Sequence, residues 1–106
     1  MNKKVKQVMT MEVGSCDLGA TALEVARIMQ ERDCGIVSVV DAEMRLAGVV
    51  TDRDLCLALA SGEFPIERLP VQEIMTQEVH TCRPEDDIRA ALSIMGIHRV
   101  QRLPVV

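Results

Sequence analysis

The residues best placed to do specific chemistry are a threonine and an aspartate three positions apart, where an apolar strand gives way to a helix. They lie in Gly48-Val49-Val50-Thr51-Asp52-Arg53-Asp54. The helix is predicted from Asp52 to about Ser61, with Thr51 and Asp54 in its first turn. The backbone N–H groups of a first turn have no intrahelical partners and carry the positive end of the helix dipole, so that end favours anions. A hydroxyl at Thr51 can add a donor to a phosphate oxygen. A carboxylate at Asp54, on the same helix face, can accept hydrogen bonds from a ribose 2′,3′-diol. Arg53 could support the phosphate, and could equally be a solvated surface charge. The plainer reading is a capping box, Thr51 as N-cap and Asp54 as its acidic third residue, which needs no ligand. The two readings are compatible, and the rest of the chain must decide between them.

The totals narrow the choice. At 106 residues the chain makes one small domain or two very small ones sharing a core. A net charge of −4 and a pI near 5.1 argue against nucleic acid as a partner. Phe64 is the single aromatic, so stacking platforms for single strands are absent. Lys3, Lys4 and Lys6 are not followed by an apolar leader segment, and no apolar run reaches the length of a membrane span. A cytoplasmic location without membrane insertion is therefore expected. Cys16, Cys34, Cys56 and Cys82 form no C-x-x-C pair, which points to buried reduced thiols rather than zinc. His80 and His98 read as isolated, without ligand or catalytic roles, and no nucleophile has a base beside it.

Stepping the chain against itself exposes a repeat offset by 66 residues without gaps. Val8-Met9-Thr10-x-Glu12-Val13 matches Ile74-Met75-Thr76-x-Glu78-Val79. Cys16 falls on Cys82, Ile28-Met29 on Ile94-Met95 and Val39-Val40 on Val105-Val106. Ala22, Val25, Ala26 and Met29 form one apolar helix face, and Ile88, Ala91, Leu92 and Met95 repeat it. Both methionines are expected to be buried. Thr21 and Asp87 stand where N-caps belong, with Glu24 completing a box in the first copy. Each copy should hold a short extended segment (about Glu12–Ser15 and Glu78–Thr81), a helix (about Thr21–Arg32 and Asp87–Arg99) and a β-branched strand (Ile36–Asp41 and Arg102–Val106). Only the first adds a polar turn at residues 42–45, a strand Leu46–Thr51 and the helix closed by Gly62. Prolines 65 and 70 mark a linker, followed by a short helical turn within Val71–Met75. The division is thus 1–62 for the first repeat with its lead-in, 63–73 for the linker and 74–106 for the second repeat. Small sheets with one face to bury would pack against each other.

The doubled Met-Thr, the amphipathic helix, the valine-rich strand and Gly48-x-x-Thr51-x-x-Asp54 together resemble a tandem of cystathionine beta-synthase (CBS) domains, the Bateman module. The resemblance runs from about Val5 to Val106. It implies an α/β fold of two βαββα-type repeats packed through their small sheets, the second incomplete at the C-terminus. It also implies a regulatory sensor, not an enzyme, that binds an adenosine-containing nucleotide (AMP, ADP or ATP) in the cleft between the repeats. On that pattern Asp54 is the ribose carboxylate and Thr51 the phosphate hydroxyl. The base would rest near Val13 and Gly14 and on Ile36-Val37, held by aliphatic contact and main-chain groups. Arg102 stands where some members place a phosphate-binding arginine, or is an edge charge that discourages strand pairing.

The second copy stops at Val106, the counterpart of Val40, so its own Thr and Asp would fall beyond the last residue. A piece of a longer protein is the favoured explanation, and at least a dimer is expected from the unfinished copy. Two further readings compete with the sensor: a protein–protein dimerisation module with no small-molecule ligand, and a thiol redox switch through the cysteines.

Overall fold

The computed structural model describes residues 3–9, 14–62, 65–98 and 103–106. Two compact units are present: residues Glu12–Glu78, and Met1–Met11 together with Val79–Val106.

In the first unit β1 (Gly14–Asp17) leads through a turn to α1 (Ala22–Arg32). Then come β2 (Ile36–Val40), β3 (Leu46–Thr51) and α2 (Asp52–Ser61). The sheet has the order β1-β2-β3, with β1 parallel and β3 antiparallel to β2. The reasons are local. Thr21 accepts from the Glu24 N–H at 3.3 Å while Glu24 reaches back to the Thr21 N–H, the capping box expected for α1. Asp33 in the left-handed region (φ 51) stops that helix, and Gly62 (φ 65) stops α2. Between β2 and β3 the Asp41 carboxylate accepts from the N–H groups of Glu43 and Arg45, both at 2.9 Å, which closes the polar turn. Val25, Val37, Val39, Val50 and Val71 are fully buried and form the core. Val71 belongs to a 3-10 turn, Val71–Glu73, that lies against α1; its N–H bonds the Ala20 carbonyl at 2.8 Å.

The second unit repeats these contacts with the same offset. The helix α3 (Ile88–His98) begins and ends 66 residues after α1. Asp87 caps it by accepting from the Arg89 N–H at 2.8 Å. The 3-10 turn Val5–Gln7 mirrors Val71–Glu73, and the Val5 N–H bonds the Asp86 carbonyl at 2.8 Å. In sequence the lead-in precedes the first copy, but in space Lys3–Met9 serves the second, while residues 69–75 serve the first. A parallel bridge Cys82↔Val105 copies Cys16↔Val39. Val5, Cys82 and Ala91 are its buried residues.

Several expectations need correction. Met29 and Met95 are half-buried rather than buried, because the core is filled one turn earlier by Ala22 and Val25 in α1 and by Ala91 in α3. Leu92, placed on the apolar face, is 56% exposed. Among the described residues one bridged pair, Cys82 with Val105, accompanies its helix. Residues 78–81 form no strand, and of Arg102–Val106 only the Val105 bridge is seen among the described residues. The cysteines are free, but only Cys82 is buried; Cys16 and Cys34 are half-buried and Cys56 is exposed. His80 and His98 are not isolated: their rings stack with centroids 3.5 Å apart.

Candidate functional site

Strand β3 delivers Thr51 to the N-cap of α2 in extended geometry (φ −101, ψ 166). The Asp54 N–H donates to Thr51 Oγ1 at 3.2 Å, and the Thr51 N–H donates to Asp54 Oδ2 at 2.9 Å. The capping box is therefore formed. A further donor comes from outside the motif: the Thr76 hydroxyl meets the same Oδ2 at 3.4 Å. Asp54 Oδ1 accepts no hydrogen bond among the described residues.

Thr76 gets there because it extends the sheet. It bridges Val49 in antiparallel fashion, exchanging N–H···O bonds of 2.8 and 3.0 Å. That pairing also explains the first letter of the motif. A Cβ on Gly48 would come within 2.8 Å of the Thr76 carbonyl oxygen and 3.1 Å of Met75 Sδ, so only glycine lets the segment approach. Sequence reasoning used Met75-Thr76 as a repeat marker and missed its contact with Asp54. The available signal was that a glycine three residues before the threonine needs something to approach it.

The other nominated residues divide. Ile36 is the register partner of Thr51, and Gly14 and Val50 flank Val37 on its two sides. Gly14, Ile36, Val37, Thr51, Arg53 and Asp54 thus share one end of the sheet. Val37 is fully buried in the core, on the central strand, so it offers a ligand no side chain. Gly14 is also tightly enclosed, since a Cβ there would collide with the Ile28 side chain. Ile36 is half-buried and Arg53 exposed. Val13 and Arg102 lie outside the described residues.

The helix end nominated for an anion has its donors committed. The N–H groups of Thr51 and Asp54 are used in the box. That of Asp52 donates to the Gly35 carbonyl at 3.0 Å, and that of Arg53 to Asp52 Oδ1 at 3.0 Å. Beside this turn opens a cavity of about 330 Å³ lined by Asp54, Leu57, Ala58 and Ser61 from α2 and by Leu69, Glu73 and Ile74. Its α2 residues follow a helical spacing on one face. Leu57, more than half exposed, is an apolar side chain that the fold leaves uncovered there.

Elsewhere the chemistry is quiet. Burial, helped by the charges of Asp17 and Glu24, pushes the Cys16 thiol up to about 11, and burial raises Cys82 as well. Such thiols are poor nucleophiles at neutral pH. No group of three or more metal-ligating side chains occurs among the described residues, and no helix there is long and apolar enough to cross a membrane.

A doubled α/β unit with a Gly-x-x-Thr-x-x-Asp turn at its sheet end defines a class, and comparison with known proteins agrees. The CBS domain family model matches residues 5–61 and 71–106. The chain belongs to the CBS domain family, as a tandem pair. It is 31% identical over 102 residues to the CBS domain-containing protein YhcV of Bacillus subtilis, covering 96% of this chain and 71% of that one. It is 37% identical over 83 residues to a 33.4 kDa protein encoded in a ribosomal RNA operon of Thermofilum pendens, covering 78% of this chain but 27% of the relative's length. Among solved structures, the CBS domain protein PAE2072 of Pyrobaculum aerophilum, complexed with AMP, has a TM-score of 0.89 at 22% identity, over 98% of this chain and 79% of that chain. The CBS domain pair of protein MJ0100, in complex with 5′-methylthioadenosine and S-adenosyl-L-methionine, has a TM-score of 0.89 at 23% identity, over 100% and 82%. At those identities the likeness is one of fold.

Proposed function

We propose that this CBS pair is a regulatory module that binds an adenosine-containing compound at the sheet end carrying Thr51 and Asp54. The observation that carries the reading is the state of Asp54. One carboxylate oxygen is held by the Thr51 N–H and the Thr76 hydroxyl, and the other has no donor among the described residues and lies beside a cavity. An oriented acceptor of this kind suits a ribose hydroxyl. The adenosine ligands bound by PAE2072 and MJ0100 support the class of compound. Gly14 and Ile36, with Val13, would bound the base, and Thr51, Arg53 and Arg102 are the candidates to meet its 5′ end. No catalytic step is assigned. A homodimer and a cytoplasmic location remain part of the proposal, the former motivated by the exposed leucines 57 and 59 of α2.

Calorimetry on the full chain with AMP, ATP, 5′-methylthioadenosine and S-adenosylmethionine tests the reading. Asp54→Asn keeps the shape and part of the acceptor capacity, and should weaken binding by roughly ten-fold, about 1.4 kcal/mol. Asp54→Ala should weaken it further. Because both touch the cap, thermal unfolding must show each variant folded at the titration temperature. Binding unaffected by either change would leave the segment a helix cap and favour the protein–protein reading.

A further inference from the structure

We propose that Thr76 is a positioning residue for the ribose acceptor: its hydroxyl fixes the rotation of the Asp54 carboxylate, so that recognition of the diol depends on a segment outside Thr51-x-x-Asp54. This rests on the reading of Asp54 as the ribose acceptor. Two observations carry it, and the first is a comparison of the two capping boxes. In the box of α1, Glu24 Oε2 accepts from the Thr21 N–H at 3.3 Å and from no other donor among the described residues. In the box of α2, Asp54 Oδ2 accepts from the Thr51 N–H at 2.9 Å and also from the Thr76 hydroxyl at 3.4 Å, 22 residues further along the chain. A capping box is complete with one donor to its carboxylate, so the second donor has no part in closing the helix.

The second is how Thr76 is held. Its N–H and carbonyl both pair with Val49, at 2.8 and 3.0 Å, which leaves the hydroxyl as the polar group it can turn to another partner. Upstream, the Val71 N–H bonds the Ala20 carbonyl at 2.8 Å and the Gln72 side-chain amide bonds the Leu18 carbonyl at 2.9 Å. Residues 69–76 are thus tied down at both ends, and they supply Leu69, Glu73 and Ile74 to the cavity beside Asp54. The hydroxyl reaches Asp54 from an anchored backbone. A carboxylate turns readily about its last side-chain bond, whose energy profile is broad. One donor on Oδ2 leaves part of that rotation open, whereas two donors fill its two lone-pair sites and restrict it. Oδ1 is then aimed before the ligand arrives, and less freedom is lost on binding.

The test is calorimetry with adenosine and 2′,3′-dideoxyadenosine on the full chain and on Thr76→Val, Thr76→Ala and Thr76→Ser, each shown folded by thermal unfolding. Valine keeps the branched shape that suits the sheet and removes the hydroxyl; alanine removes it without setting a new methyl against the carboxylate; serine keeps it. A wild-type preference for the diol of about ten-fold should fall to about three-fold or less in both the valine and alanine variants, with the dideoxy compound binding as before. Serine should restore the preference. Valine and alanine variants that keep the full preference would overturn the inference and leave the Asp54 site standing. So would a loss of affinity for both compounds alike, which is what a purely structural Thr76 would give. A wild type that binds the two compounds equally would overturn the Asp54 reading, and this inference with it.

Discussion

The two repeats share helix bounds, lead-in turns and the parallel contact of Cys16 with Val39 or Cys82 with Val105, yet they differ in how much of the helix is buried. In the first, α1 packs on β1 and β2 of the three-stranded sheet and buries Ala22 and Val25 almost completely. In the second, one bridged pair, Cys82 with Val105, is seen among the described residues; Ala91 is the buried residue of α3, and Leu92 and Ile97 are exposed. Local signals, an N-cap and an apolar stripe, are therefore enough to set where a helix starts and stops. How much of the stripe is buried depends on strands distant in sequence.

Equivalent positions make this comparison breakable. Val37 and Leu103 correspond, the first fully buried and the second half-buried. Val37→Ala should cost about 2–3 kcal/mol from lost burial and the cavity left behind. Leu103→Ala removes more atoms but should cost less, about 1–2 kcal/mol, because its surroundings are already partly wet. Urea unfolding of both variants checks the order, and the reverse order would mean that the second unit is the better packed. Next comes Gly48→Ala, expected to cost about 1–3 kcal/mol because the new Cβ meets the Thr76 backbone rather than a movable side chain. Hydrogen exchange should then show the amide of Thr76 losing protection before those of β2.

Met29→Ala and Met95→Ala sharpen the comparison further. Both side chains are half-buried, so each should cost about 1–2 kcal/mol, below the range for fully buried methionine. Met29, packed against the larger core, should stand at the upper end. The smallest effect concerns pH. Burial raises the folded-state Cys16 thiol from its ordinary 9.0 to about 11, so above pH 9 the unfolded chain loses a proton that the folded one keeps. Stability from this group is fully present below pH 9 and declines as pH rises towards 11. Cys16→Ala should flatten that alkaline decline in a series of thermal melts, and an unchanged slope would remove Cys16 as its cause.

Much of this architecture was legible in the sequence because its signals are short-range. The capping boxes at Thr21 and Thr51, the glycine at 62 and the strand Leu46–Thr51 all stand as read, and the repeat carried the first helix onto the second. What was not legible depends on chain exchange and on distant contacts. Nothing near Lys3–Met9 says that it serves the second repeat, and nothing near Thr76 says that its hydroxyl reaches Asp54. Depth of burial at Met29 and Met95 was overread for the same reason, since an apolar stripe shows a face but not what covers it. At the site, the donors of the α2 terminus were expected to be open to a ligand. Seeing them filled requires knowing that the Gly35 carbonyl and the Asp52 carboxylate accept from them.

The central claim is that Asp54 recognises a ribose diol, and a diol-deletion cycle tests it most directly. Adenosine and 2′,3′-dideoxyadenosine are titrated into the wild type and into Asp54→Ala, each variant first shown to be folded. The wild type should prefer the diol by about ten-fold or more, the value of one charge-assisted hydrogen bond. Asp54→Ala should bind both compounds alike and weakly, since the missing hydroxyls then have no partner to lose. A wild type indifferent to the diol, or an alanine variant that keeps the preference, would contradict the assignment.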